Sequence, residues 1–118
     1  MSELILAISY VMRSIESPAI LVVALSQLFP GFETELDDEE VLSYHKIILH
    51  LTPLLSGYLQ GASKRKVEAF CELINAMVAE GGDKENAIST CLLEHASQVK
   101  VRRILRPYLS AGAKRELR

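Results

Sequence analysis

Apolar positions along the chain recur at three- and four-residue steps, and nowhere do apolar and polar residues alternate over the length of a strand. The clearest stripe follows Ser63. Val67, Phe70, Cys71, Ile74, Met77 and Val78 fall on one helical face, and Gly81-Gly82 supplies a stop. Asp83 is then placed to cap a further helix whose stripe is Ile88, Cys91, Leu92, His95 and Val99. Upstream, residues 3 to 15 and 18 to 29 predict two short helices that are apolar over most of their circumference, so at least one belongs in the centre of the fold. Ser17-Pro18, a cap and first-turn pair, divides them. From Val41 onward Tyr44, His45, Ile48, Leu51 and Leu55 keep helical spacing, with Thr52-Pro53 forcing a break near residue 52. A last segment carries Val101, Ile104, Leu105, Tyr108 and Leu109, and Pro107 bends it or divides it in two.

Five to seven helices joined by short connections predict antiparallel neighbours. The expected fold is all-α, an irregular antiparallel helical bundle of stacked αα-hairpins. No internal repeat, linker or low-complexity segment interrupts residues 1 to 118, which read as a single helical domain. A chain of 118 residues buries roughly two-thirds of the surface its unfolded form exposes, so one core is expected. With only 6% aromatic residues, six Gly and four Pro, the composition disfavours a turn-dense β fold. The apolar runs fall short of the ~20 residues of a membrane helix. The first, LILAISYVM, has no basic residues before it and no small-residue cleavage pattern after it. Two cysteines make no disulfide framework, so a cytoplasmic protein without membrane contact is expected.

Charge changes this picture more than composition does. In FPGFETELDDEE, residues 29 to 40, six of the last eight positions are carboxylates and none is basic. Residues 1 to 40 hold eight acids and one base, residues 41 to 99 six acids and five bases, and residues 100 to 118 one acid and seven bases. The net charge of −2 therefore hides a strongly polar molecule. Carboxylates in a helix's first turn complement the macrodipole and cap free N–H groups, each contributing ~0.3–1 kcal/mol. That accounts for one or two of them. Glu33 and Glu35 precede the helix, and like charges at successive positions repel. Glu33, Glu35, Asp37, Asp38, Glu39 and Glu40 are accordingly the candidate partner-binding residues. Lys64-Arg65-Lys66 sits in the first turn after Ser63, where the dipole disfavours cations. Pairing with the acidic run, through the loop near Gly61, would explain it.

The C-terminal bases Lys100, Arg102, Arg103, Arg106, Lys114, Arg115 and Arg118 invite a nucleic-acid reading. A pI near 5.9, the acidic lobe and the lack of aromatic interleaving beyond Tyr108 count against it. Catalytic parts are scarce. His45 and His50 point about 140° apart on a helix and make poor co-ligands. Cys91 and His95 share a face, and Cys71 could add a third ligand from the preceding helix, a set that suits zinc. All three lie on apolar stripes, where a buried thiol and a satisfied core histidine are the ordinary outcome. A Cys-His nucleophile needs an exposed electropositive pocket instead. No glycine-rich phosphate loop occurs, and the acidic run lacks the calcium-loop pattern. The expectation is a non-catalytic protein with no cofactor and no metal.

The segment L-x-x-L-F-P-G-F-E at 25 to 33, followed by a capped helical hairpin and by N-A-I-S-T-C-L-L-E-H at 86 to 95, resembles small all-helical bacterial proteins. That group includes immunity proteins encoded beside secreted or contact-delivered toxins. The resemblance implies a protein that binds one cognate toxin and blocks its active site, commonly a nuclease's, as in contact-dependent growth inhibition. A nuclease presents a basic cleft to phosphates, which an acidic surface would complement. The six carboxylates would then imitate the phosphate track, an assignment resting on charge alone. Two other classes stand beside this one: a helical adaptor or regulatory subunit whose polar ends meet two partners or each other, and a small nucleic-acid-binding regulator using the C-terminal bases.

Overall fold

A computed structural model of the chain describes residues 15–36, 42–93 and 99–116, apart from the side chains of Cys91, Leu93 and Val99. The elements expected over residues 3 to 15, and the stripe position His95, lie wholly or largely outside these residues. What is described is all-helical, with no strand. Helix α1 (Pro18–Leu28) starts where the Ser17 hydroxyl accepts from the Ile20 N–H at 3.4 Å, and a 3-10 turn (Phe32–Glu35) follows it. Helix α2 (Tyr44–Leu51) is capped by Ser43 and α4 (Lys64–Glu80) by Ser63, each hydroxyl accepting from the N–H three residues on. Between them, Thr52–Leu54 tightens to a 3-10 turn and Leu55–Leu59 forms α3. The Thr52 hydroxyl donates to the Ile48 carbonyl at 2.8 Å, and Pro53 has no N–H to give, so the break falls where the sequence places it.

Two local expectations are revised. Asp83 is not a cap: Gly81, at φ 74°, both ends α4 and directly precedes α5 (Gly82–Ile88), leaving Asp83 and Glu85 as acids in the first turn of α5. At φ 74° and ψ −166° Gly81 holds a backbone conformation open to glycine, and it turns the chain so early that Asp83 already lies inside α5. Nor does α5 run on as one regular helix, because Ser89–Leu93 opens into a π turn. The Thr90 hydroxyl donates to the Asn86 carbonyl at 2.7 Å and competes there with the helical N–H. Beyond it, α6 (Val99–Leu105), a 3-10 turn at Arg106–Tyr108 and α7 (Ala111–Glu116) show Pro107 dividing the last segment in two.

The buried residues of these elements form one core cluster. At its middle Phe29, 2% exposed, stacks on Tyr58 at 4.8 Å between centroids and meets Phe70 edge-on at 5.4 Å. Helix α1 buries Leu21, Ala24, Leu25 and Leu28 but leaves Val23 50% exposed, so it lies at the surface rather than in the centre. The last segment docks along α4 in the same direction. Cys71 Sγ donates to the Leu105 carbonyl at 3.6 Å, and Asn75 donates to the Tyr108 carbonyl at 3.1 Å while accepting from the Ser110 N–H at 2.8 Å. Further on, Val78 lies against Gly112. Helix α6 therefore starts toward the N-terminal end of α4. Lys84 ties the start of α5 to neighbouring elements by donating to the Ile15 carbonyl and to Glu80, its ammonium 5.9 Å from the centre of the Tyr44 ring. Among the described residues no helix is long and apolar enough to cross a membrane.

Candidate functional site

The motif FPGF builds the mount for the acidic turn. Phe29 closes α1 and Phe32, fully buried, opens the 3-10 turn, so two aromatic side chains fix the backbone on both sides of Pro30-Gly31. Gly31 takes φ 93°, a conformation open to glycine and strained for other residues. The Phe32 N–H donates to the Phe29 carbonyl at 3.0 Å, and the Thr34 hydroxyl donates to the Gly31 carbonyl at 2.6 Å. On this mount Glu33 and Glu35 are exposed, and among the described residues no cation pairs with either. Asp37, Asp38, Glu39 and Glu40 lie outside the described residues.

The Glu33 carboxyl is held below its ordinary value of 4.5, first by its own backbone N–H and then by the nearby Ser26 hydroxyl. The hydroxyl acts at longer range than a hydrogen bond, since Ser26 Oγ has no partner at bonding distance. Both carboxylates reach the Tyr58 phenol: burial raises its pKa most, and the negative charges of Glu35 and Glu33 raise it further. Sequence spacing does not bring Tyr58 to this surface. Only the Phe29 stack does, and the one hint in the sequence is an aromatic at each end of a Pro-Gly turn.

Of the expected pairing between Lys64-Arg65-Lys66 and the acidic run, only the part at Glu33 and Glu35 falls within the described residues, and no ion pair forms there. Lys64 pairs locally with Glu68 at 3.8 Å, an exposed i,i+4 contact that contributes little. The acidic turn instead acts electrostatically on Tyr58 of α3, whose phenol its negative charges hold further up. Of Cys71, Cys91 and His95, the set weighed for metal or thiol chemistry, only the Cys71 side chain is described. Cys71 is buried, its pKa is pushed up to about 12 by desolvation and by Glu68, and its Sγ serves the Leu105 carbonyl. His45 Nε2 sits 3.2 Å from the Asn86 amide nitrogen. His95 and the Cys91 side chain are not among the described residues, within which no group of three acids, histidines or cysteines could hold a metal ion. A shallow cleft of about 530 Å³ runs between α4 and α7, lined in part by Asn75, Glu85, Arg115 and Glu116. Asn75 is engaged with the backbone, and Glu116 accepts from the Ser89 hydroxyl at 2.6 Å, so this cleft is knitted by its own side chains. The chain matches no protein-family model, no curated protein and no solved structure.

Proposed function

We propose that the chain is a non-catalytic binding protein whose acidic turn meets the basic cleft of a cognate protein, and that the cognate protein is a bacterial toxin, a nuclease in the simplest case. The observation carrying this reading is that Glu33 and Glu35 stand exposed and without a cation partner among the described residues, on a turn held from beneath by Phe29 and Phe32. Charge fixed in place before contact loses little ordering entropy on binding and steers encounter. The remaining carboxylates, Asp37 to Glu40, follow within five residues of Glu35 and extend the same charge along the chain. The resemblance of the sequence to immunity proteins suggests the toxin; the exposed pair Glu33 and Glu35 is the part resting on geometry.

Expression of the protein encoded beside this chain tests it directly. If the reading holds, that neighbour arrests growth alone and the present chain restores it. Glu33→Gln/Glu35→Gln should then slow stopped-flow association at low ionic strength and leave high-salt association nearly unchanged, because the steering field is screened there. Association that is identical for wild type and variant at both ionic strengths removes the acidic turn from the interface.

A further inference from the structure

A second recognition surface lies on the other flank of α3. Ser56 and Gln60, one helical turn apart, face Lys100, Val101, Arg103 and Ile104 of α6 across a pocket of about 150 Å³. Val101 is buried at its floor, Ile104 forms an apolar wall, and Lys100 and Arg103 stand exposed at the rim. Among the described residues no acid lines it and neither rim cation makes an ion pair. The parallel docking of α6 on α4 adds more positive charge at the same end. Leu105 is level with Cys71, so Lys100, five residues earlier, lies about 7–8 Å toward the start of α4, where Lys64, Arg65 and Lys66 are. An apolar hole rimmed by Lys100 and Arg103 therefore lies toward the end of the molecule where Arg65, Lys66 and Lys64, the last paired with Glu68, also stand.

We propose that this pocket receives an acidic peptide segment of a partner protein, one bulky apolar side chain entering between α3 and α6 while flanking carboxylates meet Lys100 and Arg103. Size selects the occupant. Drug-sized ligands fill pockets of roughly 300–1,000 Å³, whereas a cavity of about 150 Å³ takes a single benzene-sized group. One leucine or phenylalanine side chain fits, and such an anchor in a desolvated pocket is the usual centre of a protein interface. Charge selects its neighbours, since Arg103 offers a planar fork suited to carboxylates and Lys100 a point charge beside it. A nucleic acid is disfavoured on two counts: among the described residues no aromatic ring lines the pocket for a base to stack on, and Glu33 and Glu35 act from the Tyr58 flank of α3, where they repel a polyanion.

The probe is a fluorescein-labelled peptide, Glu-Glu-Leu-Glu-Glu, titrated with the full chain and followed by anisotropy and by amide shifts in NMR. Saturable binding is expected, with shifts centred on Ser56, Gln60 and residues 100 to 104. Replacing the peptide leucine by alanine should weaken it about tenfold, or 1.4 kcal/mol, and Lys100→Gln/Arg103→Gln should do the same. These two side chains are exposed, so the variant keeps the fold. As a second variant, Ser56→Leu fills the hole and should abolish the leucine preference while leaving a weak charge-driven affinity. Three results overturn the proposal: no saturable binding, equal affinity for the leucine and alanine peptides, or tighter binding of a single-stranded oligonucleotide than of the peptide. Self-association that is lost in Lys100→Gln/Arg103→Gln would assign the pocket to a second copy and equally overturn it. Because the probe avoids Glu33 and Glu35, its failure leaves the acidic-turn reading standing.

Discussion

Phe29 joins the core to the acidic turn, and replacing it separates ring geometry from mere bulk. The ring is 2% exposed, stacked at an interplanar angle of 8° on Tyr58 and set at 68° against Phe70. Leucine in its place keeps most of the apolar volume but removes both ring pairings. At ~0.5–1.5 kcal/mol for each pairing beyond area burial, Phe29→Leu should destabilise by about 1–3 kcal/mol. Alanine leaves a cavity as well, and Phe29→Ala should lose about 3–5 kcal/mol, a large share of the ~5–15 kcal/mol that holds an ordinary domain. Urea unfolding followed by far-UV circular dichroism measures both, the midpoint falling while the slope stays constant. In the same variants the near-UV signal of tyrosine should weaken, since Tyr58 loses its stacking partner. A leucine variant as stable as wild type would show that the ring pairings contribute nothing, and would refute the account of how the turn is mounted.

Other perturbations read the site piece by piece. Gly31→Ala should cost about 1–2 kcal/mol by thermal melt, because φ 93° is strained for alanine even though nothing lies within 4 Å of the added carbon; a neutral result would mean the turn relaxes freely. Folding lowers the Glu33 carboxyl below 4.5, so its stabilising effect is complete above that value and is lost as pH falls through the lower folded value. Carbon-detected NMR should place its midpoint below 4.5, with Ser26→Ala moving it upward; a wild-type midpoint at or above 4.5 contradicts the geometry. Cys71, protonated up to about pH 12, should resist a thiol reagent at pH 8 in the folded protein and react after urea unfolding, as peptide mapping would show; equal labelling in both states is the contrary outcome.

The helices were legible because their signals are local. Ser17 and Ser63 each cap where a hydroxyl precedes an apolar period, and Val67 to Val78 bury the face that their spacing selects. Helix α2 starts later than its charge suggested, capped by Ser43 with no acid in its first turn, because the hydroxyl accepts the Lys46 N–H that the carboxylates were expected to serve. Legibility failed where two local rules competed. At Gly81 the chain turned so early that Asp83 fell inside α5, and at Thr90 a hydroxyl took the carbonyl that a regular helix would have used. The acidic turn was visible as charge. Its support was not, because Phe29, Tyr58 and Phe70 meet only in three dimensions. The basic pocket was hidden for the same reason: Gln60 and Lys100 are forty residues apart, and only the docking of α6 against α3 makes them neighbours.

Opposite charge on the two flanks of α3 gives the surfaces a physical connection. Ser56 and Gln60 share one face of the helix, and Tyr58, two positions from each, points about 160° away toward Glu33 and Glu35. The flanks are thus separated by about one helix diameter, some 10 Å, close to the Debye length of about 8 Å in physiological salt. The charges themselves stand beyond the flanks, on α6 and on the acidic turn, so each pair of unit charges interacts by less than about 0.4 kcal/mol in water before screening. While the rim cations are free they partly offset the field of the acidic turn; an acidic segment seated on Lys100 and Arg103 would neutralise them and leave the turn more attractive to a basic partner. By linkage the basic partner would strengthen the acidic one equally. This coupling needs no conformational change, so it should fade with added salt and should disappear in Lys100→Gln/Arg103→Gln, where the offsetting charge is already gone. A coupling that survives high salt would require movement of α3 itself.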